Sequence, residues 1–265
     1  MFMRLMVASQ EEALSMFWKE RNDLPAGVGY PLWGRTHILS ICALGLMILL
    51  LLILFLRCDA IRRERVIRVL PIIMVGLEVW KDMFLISVHR FTVGYLPLHM
   101  CSLGIVVFLL YAWGRERMRR IFGEIAFTLI LPSALVAIFD PDWTTYYPPL
   151  NFMNIYSYVW HGLLVAYPAM LMLDRRVRPS IRHIHYDLIF IGLVLPPIYL
   201  FDKLFSCNYL FVNWPIPNSP LSWLASFMGN PGYLAGYAVL VVLMLLIVYM
   251  LYYMVRCFSG KGGRI

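Results

Sequence analysis

Charged residues are scarce in this sequence: they make up 14% of its 265 residues, whereas 61% are hydrophobic. A typical soluble domain has about 25% charged and about 45–50% apolar residues. A water-soluble protein of this size could not bury so much apolar surface in a single core. The same composition excludes disordered and collagen-like chains. The sequence therefore predicts a protein whose solvent is the lipid bilayer.

Cysteine is also infrequent, and the five cysteines show neither a CxxC pair nor a regular spacing. This pattern excludes a disulfide-stapled secreted module and gives no sign of a cysteine metal site. A lone cysteine on an apolar helix is most often a small packing residue. We give this interpretation to Cys42, Cys58, Cys207 and Cys257.

Several apolar stretches are long enough to cross about 30 Å of hydrocarbon as helices. The seven stretches are residues 37–56, 66–88, 95–113, 121–139, 153–173, 185–205 and 232–256. We therefore expect an all-α, polytopic membrane protein with seven transmembrane helices. Residues 1–36 would precede a membrane domain at 37–256, and residues 257–265 would form a tail.

The N-terminal segment carries the signature of a helix start. Ser9 and Glu12 have the spacing of a capping box, which predicts a short amphipathic helix. Its apolar side would carry Leu14, Phe17 and Trp18. A helix of this kind lies on the membrane surface. No cleavable signal peptide is expected, because acidic and aromatic residues precede the first apolar stretch.

Basic residues alternate between the connections, and no basic face has the interleaved aromatics that would predict a nucleic-acid partner. The first, third and fifth connections and the tail are rich in basic residues: Arg57, Arg62, Arg63, Arg65, Arg68, Arg115, Arg117, Arg119, Arg120, Arg175, Arg176, Arg178, Arg182, Arg256, Lys261 and Arg264. The second connection has only Arg90 as an arginine or lysine, and the fourth and sixth have none. The positive-inside rule therefore predicts a cytoplasmic C-terminus and an N-terminus outside. Basic residues in the N-terminal segment itself argue against this orientation.

The fourth and sixth connections are long, aromatic and rich in proline. Asp142 lies in the fourth and Asn208 in the sixth. Two interpretations remain open at this point. These loops either recognise a ligand on the outer side or form an aromatic belt at the headgroup level.

Ionisable residues inside hydrocarbon are costly and therefore are functional candidates. A rise of 1.5 Å per residue places one group of them about 9–15 Å below the outer ends of their helices. This group consists of Glu78, Lys81, Asp82, Cys101 and His161. The inner half offers Glu124 and Asp187, which we expect close to the cytoplasmic arginines. The sequence thus predicts polar residues concentrated in the outer half.

Cys101 and His161 would suit nucleophilic catalysis, because a thiol needs a base to form the reactive thiolate. Asp82 could orient the imidazole, whereas His99 would point away from Cys101 if both lay on one regular helix. Purely structural roles for these residues remain open as alternatives. Glu78, Lys81 and Asp82 share a helix face and could simply neutralise one another. Cys101 could be a packing residue, and His161 a cross-helix hydrogen-bonding residue.

The string LPLHMCS at residues 96–102 is followed downstream by Asp142, the Tyr146–Pro149 run, the pair His161-Gly162 and the string NYLF at residues 208–211. This series resembles the YwaF-type integral membrane proteins. It also resembles their eukaryotic relative, transmembrane protein 164, a phospholipid acyltransferase. The resemblance covers roughly residues 34–256.

The resemblance implies acyl transfer onto a lysophospholipid, with Cys101 as the nucleophile and His161 as its partner. On this reading, supporting or substrate-binding roles fall to His99, Asp82, Glu78, Lys81, Asn208 and Asp142. Phospholipids and lysophospholipids would be the partners, no cofactor or metal would be needed, and the location would be the cell membrane, specifically the bacterial cytoplasmic membrane. Three rivals remain open: a transporter or channel for a small polar solute, a heptahelical receptor or scaffold, and a metal hydrolase using His37, His99, His161 and a carboxylate.

Overall fold

The computed structural model describes residues 15–258. Over this range the chain is all-helical, with nine α-helices, short 3₁₀ turns in the connections and no β-strand. The α-helices are α1 Arg35–Arg57, α2 Ala60–Ser87, α3 Met100–Trp113, α4 Glu116–Ile125, α5 Leu131–Phe139, α6 Phe152–Leu173, α7 Ile184–Phe205, α8 Pro220–Met228 and α9 Tyr233–Phe258. The predicted capping box at Ser9 and Glu12 lies outside the described residues, as do Lys261 and Arg264 of the tail.

Each of the seven predicted segments contains a helix. Four helical stretches are long and apolar enough to cross a bilayer: Arg35–Arg57, Glu116–Thr145, Ile181–Phe205 and Tyr233–Phe258. The second of these joins α4 to α5 through the π-helix Ala126–Ile130. The four spans are those of a multi-pass membrane protein.

The third predicted segment is wrong at its start. It was expected to begin at residue 95, but α3 begins at Met100 and is preceded by the 3₁₀ turn Val93–Tyr95. The cause is Pro97, which has no N–H donor and disfavours helical geometry in the residue before it. Leu96 accordingly has an extended backbone, with φ −61° and ψ 149°. Cys101 is therefore the second residue of its helix and does not lie well inside it.

The second predicted segment begins earlier than expected, because α2 starts at Ala60. The Asp59 side chain accepts a hydrogen bond from the Arg62 backbone N–H at 2.8 Å. An N-cap of this kind satisfies one of the free donors at the start of a helix. The charged residues after Asp59 therefore belong to the helix and not to the connection.

The chain is divided into two compact units, and the first comprises Met1–Phe91 and Ser133–Asp174. In this unit α1 packs against α6 at Gly162. A Cβ atom at Gly162 would lie 2.5 Å from Leu44 Cδ1 and 2.7 Å from Met47 Cε. The two helices therefore approach closely at Gly162, and a side chain here would have to displace the ends of the Leu44 and Met47 side chains.

We expect Gly162→Ala to lower the free energy of unfolding by about 1 kcal/mol, the low end for overpacking, because the atoms in the way are the ends of flexible side chains. Gly45→Ala is the matched control, because nothing lies within 4 Å of a Cβ built at this other helical glycine. It should be neutral or slightly stabilising, since alanine favours helices. Thermal unfolding of both variants in detergent measures the difference. Equal midpoints would contradict the packing assigned to α1 and α6.

The start of the described chain is tied to the first unit by polar contacts. The Asn151 side-chain amide donates to the carbonyls of Met16 and Lys19 at 2.8 and 2.9 Å. Arg90 pairs with Asp23 through two hydrogen bonds, and the one from Arg90 Nε is 3.0 Å long. The hydrogen bond from Arg90 holds the pKa of Asp23 below its usual value. This stabilisation is present above the unfolded-state pKa of about 3.9 and is lost as the pH falls through the lower folded-state pKa.

The second unit comprises Thr92–Pro132 and Arg175–Ile265. Glu124 and Asp187 are both buried in it, and the Tyr249 hydroxyl donates to them at 2.8 and 3.4 Å. Thr128 donates a 2.6 Å hydrogen bond to Asp187. The two acids that were expected beside the cytoplasmic arginines therefore belong to an internal hydrogen-bonded cluster. In the same unit α7 contains two consecutive prolines, Pro196 and Pro197.

Candidate functional site

The predicted ion cluster on α2 is present in the first unit. Lys81 Nζ lies 2.6 Å from Glu78 Oε1 and 3.2 Å from Asp82 Oδ1. Glu78 and Lys81 are only 6% and 7% exposed, so these charges interact in a medium of low dielectric. The cluster holds two carboxylates and one ammonium, which leaves a net negative charge within it.

Tyr156 is a further member that the sequence did not indicate. Its hydroxyl donates to Glu78 Oε2 at 2.6 Å, which connects α6 to the cluster on α2. The Tyr156 ring stacks on Trp160 at 5.7 Å and packs against Phe152. Because Tyr156 and Glu78 are 78 residues apart, no local pattern could have paired them.

His161 lies on α6 with its ring stacked on Trp143, at a centroid distance of 5.0 Å and an interplanar angle of 13°. Its Nδ1 lies 2.7 Å from the carbonyl oxygen of Ser157. A carbonyl only accepts, so Nδ1 carries the proton, and in the neutral imidazole Nε2 then carries the lone pair. This is the tautomer that a general base needs. The predicted orientation of the imidazole by Asp82 is not observed, because Ser157 takes that role.

Asp142 contributes to this arrangement through its backbone. Its carbonyl accepts hydrogen bonds from the Thr145 N–H at 3.2 Å and the Thr145 hydroxyl at 2.7 Å. These bonds close the 3₁₀ turn Trp143–Thr145 that carries the ring stacked on His161. The Asp142 residue itself is exposed. It therefore supports the position of Trp143.

Cys101 lies in the first turn of α3, in the second unit, and is half-buried. His99 is the N-cap residue and has an extended backbone, with φ −72° and ψ 155°. The predicted divergence of His99 and Cys101 assumed a continuous helix, and this assumption is wrong. The N–H groups and the partial positive charge of a helix N-terminus favour an anion there. A thiolate or a developing oxyanion near Cys101 would benefit from both.

Two aromatic rings hold the His99 side chain. Its ring centroid lies 4.8 Å from that of Tyr209 and 5.8 Å from that of Phe211. Both aromatics belong to the segment at residues 206–214 that follows α7, which we call the hook. The N-cap residue of α3 therefore packs against the hook.

Asn208 closes the hook. Its side-chain oxygen accepts from the backbone N–H groups of Asn213 and Trp214, each at 3.1 Å, and its amide donates to the Trp214 carbonyl at 3.0 Å. Both polar atoms of the Asn208 side chain are therefore hydrogen-bonded to backbone groups within the hook. The structure thus gives Asn208 a supporting role through the hook, and no ligand contact is needed to explain it.

Metal-binding geometry is not found among residues 15–258: no group of three or more His, Cys, Asp or Glu side chains could hold an ion. His37, a candidate ligand for a metal hydrolase, contacts the backbone through both ring nitrogens. Nδ1 accepts from the Trp33 N–H at 2.9 Å, and Nε2 lies 3.3 Å from the Ile138 carbonyl. These contacts give His37 a structural role.

The sequence also matches a known protein family. The sequence profile of the TMEM164 family matches residues 32–252. The chain belongs to the TMEM164 family. The matched stretch contains every candidate residue from Glu78 to Asn208. No curated protein and no solved structure matches the chain.

In this TMEM164 family member the candidate residues fall into two groups. Glu78, Lys81, Asp82, Asp142 and His161 belong to the first unit. His99, Cys101 and Asn208 belong to the second, where the LPLHMCS string forms the turn before α3 and its first residues.

Proposed function

We propose that this TMEM164 family protein is a membrane acyltransferase that moves a fatty acyl group from a phospholipid to a lysophospholipid through a thioester on Cys101. The observation that carries the proposal is the place of Cys101 in the first turn of α3, within the motif that the family resemblance associates with a nucleophile. The free Nε2 lone pair of His161 supports a general-base role.

The reaction begins when the Cys101 sulfur attacks an ester carbonyl of the donor phospholipid while His161 Nε2 takes the thiol proton. The tetrahedral intermediate collapses, the ester C–O bond breaks, and His161 returns the proton to the departing lysophospholipid hydroxyl. A second lysophospholipid then gives its hydroxyl proton to His161 and attacks the thioester carbonyl. The C–S bond breaks, and His161 returns the proton to the Cys101 sulfur, which restores the thiol. Backbone N–H groups in the first turn of α3 would stabilise the oxyanion of each step.

The mechanism requires His161 to reach the Cys101 thiol. The Glu78, Lys81 and Asp82 cluster would hold the lipid headgroup, and its net negative charge suits a cationic group. No organic cofactor or metal takes part in these steps. A labelled acyl donor mixed with an unlabelled lysophospholipid tests the proposal, because the purified protein should produce a labelled diacyl lipid.

For the membrane arrangement we propose seven transmembrane helices, with the N-terminus outside and the C-terminus in the cytoplasm. The alternating basic connections support this topology. We further propose a place in the cell membrane, in bacteria the cytoplasmic membrane, since a lipid substrate can enter the site sideways from the bilayer.

Thiol labelling should confirm the orientation. In a cysteine-free background, Leu150→Cys in the exposed fourth connection should react with an impermeant thiol reagent added to intact cells, and Arg117→Cys in the third should react only after lysis. Both side chains are exposed in the structure, so protection would report the membrane and not burial. The reverse pattern would overturn the topology.

A transporter for a small polar solute is the second candidate. The buried cluster of Glu124 and Asp187 favours it, because that cluster adds polar groups to the half of the protein expected to face the cytoplasm. Solute flux into liposomes containing the purified protein distinguishes a transporter from an acyltransferase.

A further inference from the structure

The connection between α7 and α9 has a surface without charge. Residues 204–232 contain no Asp, Glu, Lys, Arg or His. Two large aromatic side chains of α8, which lies in this connection, are nevertheless well exposed: Trp223 at 67% and Phe227 at 63%. Adjoining exposed apolar groups of this size mark a surface that contacts something other than water. Neither residue belongs to the candidate sites described above.

The helix that carries these aromatics is closed at both ends. At its start, the Ser219 hydroxyl oxygen accepts from the N–H groups of Leu221 and Ser222 at 3.2 and 3.4 Å. The Ser222 hydroxyl in turn accepts from the Ser219 N–H at 3.1 Å, which completes a capping box. At its end, the Gly229 N–H donates to the Ala225 carbonyl at 2.9 Å. Because α8 is capped in this way, its side chains have defined directions.

One side of α8 packs against the protein. Leu221 and Leu224 are buried and contact Tyr233 at the start of α9. The approach is close, since a Cβ atom built at Gly236 of α9 would lie 2.8 Å from Leu224 Cδ2. These contacts fix the rotation of α8 about its own axis, so the aromatic side is held away from α9.

The rest of the α8 surface is divided into two edges. Trp223 and Phe227 are one helical turn apart, and their rings meet edge to face at a centroid distance of 5.0 Å. Each aromatic is preceded by a serine, Ser222 or Ser226, which is rotated by about 100° around the helix. Ser226 is exposed, and its hydroxyl donates to the Trp223 carbonyl at 2.7 Å. The helix therefore has a protein side, an aromatic edge and a serine edge.

The position of α8 along the chain places it at a membrane surface. The stretches on either side of it, Ile181–Phe205 and Tyr233–Phe258, are each long and apolar enough to cross a bilayer. Successive spans run in opposite directions, so α7 ends and α9 begins at the same surface. With nine residues, α8 is about 14 Å long at 1.5 Å per residue, which is too short to cross about 30 Å of hydrocarbon.

A helix in the plane of a membrane surface needs one face for lipid and another for water. Tryptophan is also the residue typical of the headgroup level. We infer that α8 is an interfacial helix that inserts Trp223 and Phe227 into the lipid where α7 ends and α9 begins, with its serine edge in water. In the proposed topology this is the outer surface of the membrane.

The absence of charge defines the kind of partner. Residues 204–232 offer no cation for an anionic headgroup and no charged group with which to select a soluble protein. The partner that fits is the boundary between headgroups and acyl chains, whatever the charge of the lipid. This inference does not depend on acyl transfer, because it concerns only how the connection between α7 and α9 meets the bilayer.

Two neighbouring labels test the inference. Phe227→Cys and Ser226→Cys are made separately in a cysteine-free background, labelled with the same small environment-sensitive fluorophore and placed in lipid nanodiscs. A nitroxide near the headgroup end of the lipid chain should quench the label at 227 several-fold more than the label at 226. Aqueous iodide should show the opposite preference. Both native side chains are exposed, so the two labels form a matched pair.

Three results would overturn the inference. Iodide quenching of both labels would place the aromatic edge in water. Protection of the label at 227 from both quenchers would mean that protein covers this edge, either a second copy or another partner. Lipid quenching of both labels would contradict the assigned serine edge. Nanodiscs of phosphatidylcholine and of phosphatidylglycerol should give equal quenching at 227, and a strong preference for the anionic lipid would contradict attachment without charge. None of these measurements uses activity, so failure here leaves the acyltransferase proposal unaffected.

Discussion

Replacing Cys101 with alanine should abolish acyl transfer, with a loss of at least about 10³-fold, because no other atom can form the thioester. The fatty-acyl adduct should disappear in parallel. In the wild-type protein incubated with mixed phospholipids, intact mass should show an acyl group that hydroxylamine removes and that maps to Cys101. The stability cost should stay small, since Cys101 is only half-buried and alanine fits its space.

Two further variants sharpen this test. Cys101→Ser should be strongly impaired, because a serine hydroxyl ionises far less readily than a thiol. Cys42→Ala is the matched control, since Cys42 is a free cysteine on α1 and is exposed. It should keep both the adduct and the turnover. Undiminished lipid turnover in Cys101→Ala would refute the thioester mechanism and leave the transporter as the better explanation.

Replacing His161 should have the second-largest effect. His161→Ala should reduce acyl transfer by about 10²-fold or more, the usual contribution of a general base. The acyl adduct should form more slowly by a similar factor. His185→Ala, which removes an exposed histidine, should leave the rate unchanged.

His161→Asn separates the base from a structural role. The asparagine amide can replace the donor at Nδ1 and keep the hydrogen bond to Ser157, but it has nothing in place of the Nε2 lone pair. A structural role predicts that asparagine restores activity and that the thermal stability of the variants follows their activity. A catalytic role predicts that His161→Asn stays folded and inactive.

The helices themselves were largely predictable from the sequence, and α6 and α7 begin within one residue of their expected starts. Their apolar stretches are bounded by clear signals, such as the N-cap of Asn151, whose side chain accepts from the Met153 N–H at 2.8 Å. The start of α3 was not predicted correctly, because hydropathy continues through Leu96 and Leu98 while Pro97 stops the helix. Because of this error, the sequence placed Cys101 well inside the helix, whereas it lies in the first turn.

Side-chain partners were harder to predict than helices. The Glu78–Lys81 pair followed from spacing within one helix, and the structure contains it. The partner of His161 was missed because a backbone carbonyl one turn earlier competes with any distant carboxylate.

The two prolines inside α7 have a consequence for its mechanical behaviour. Pro196 and Pro197 have no N–H to donate, so the carbonyls of Gly192 and Leu193 lack their helical hydrogen bonds. Bending at this point breaks fewer bonds than bending anywhere else along α7, which makes it the natural pivot of the helix. The last turns of α7, which lead into the hook, lie beyond this point. The direction in which α7 enters the hook therefore depends on its geometry at these two prolines. Because the hook packs against the His99 ring, the same two prolines influence where α3 begins.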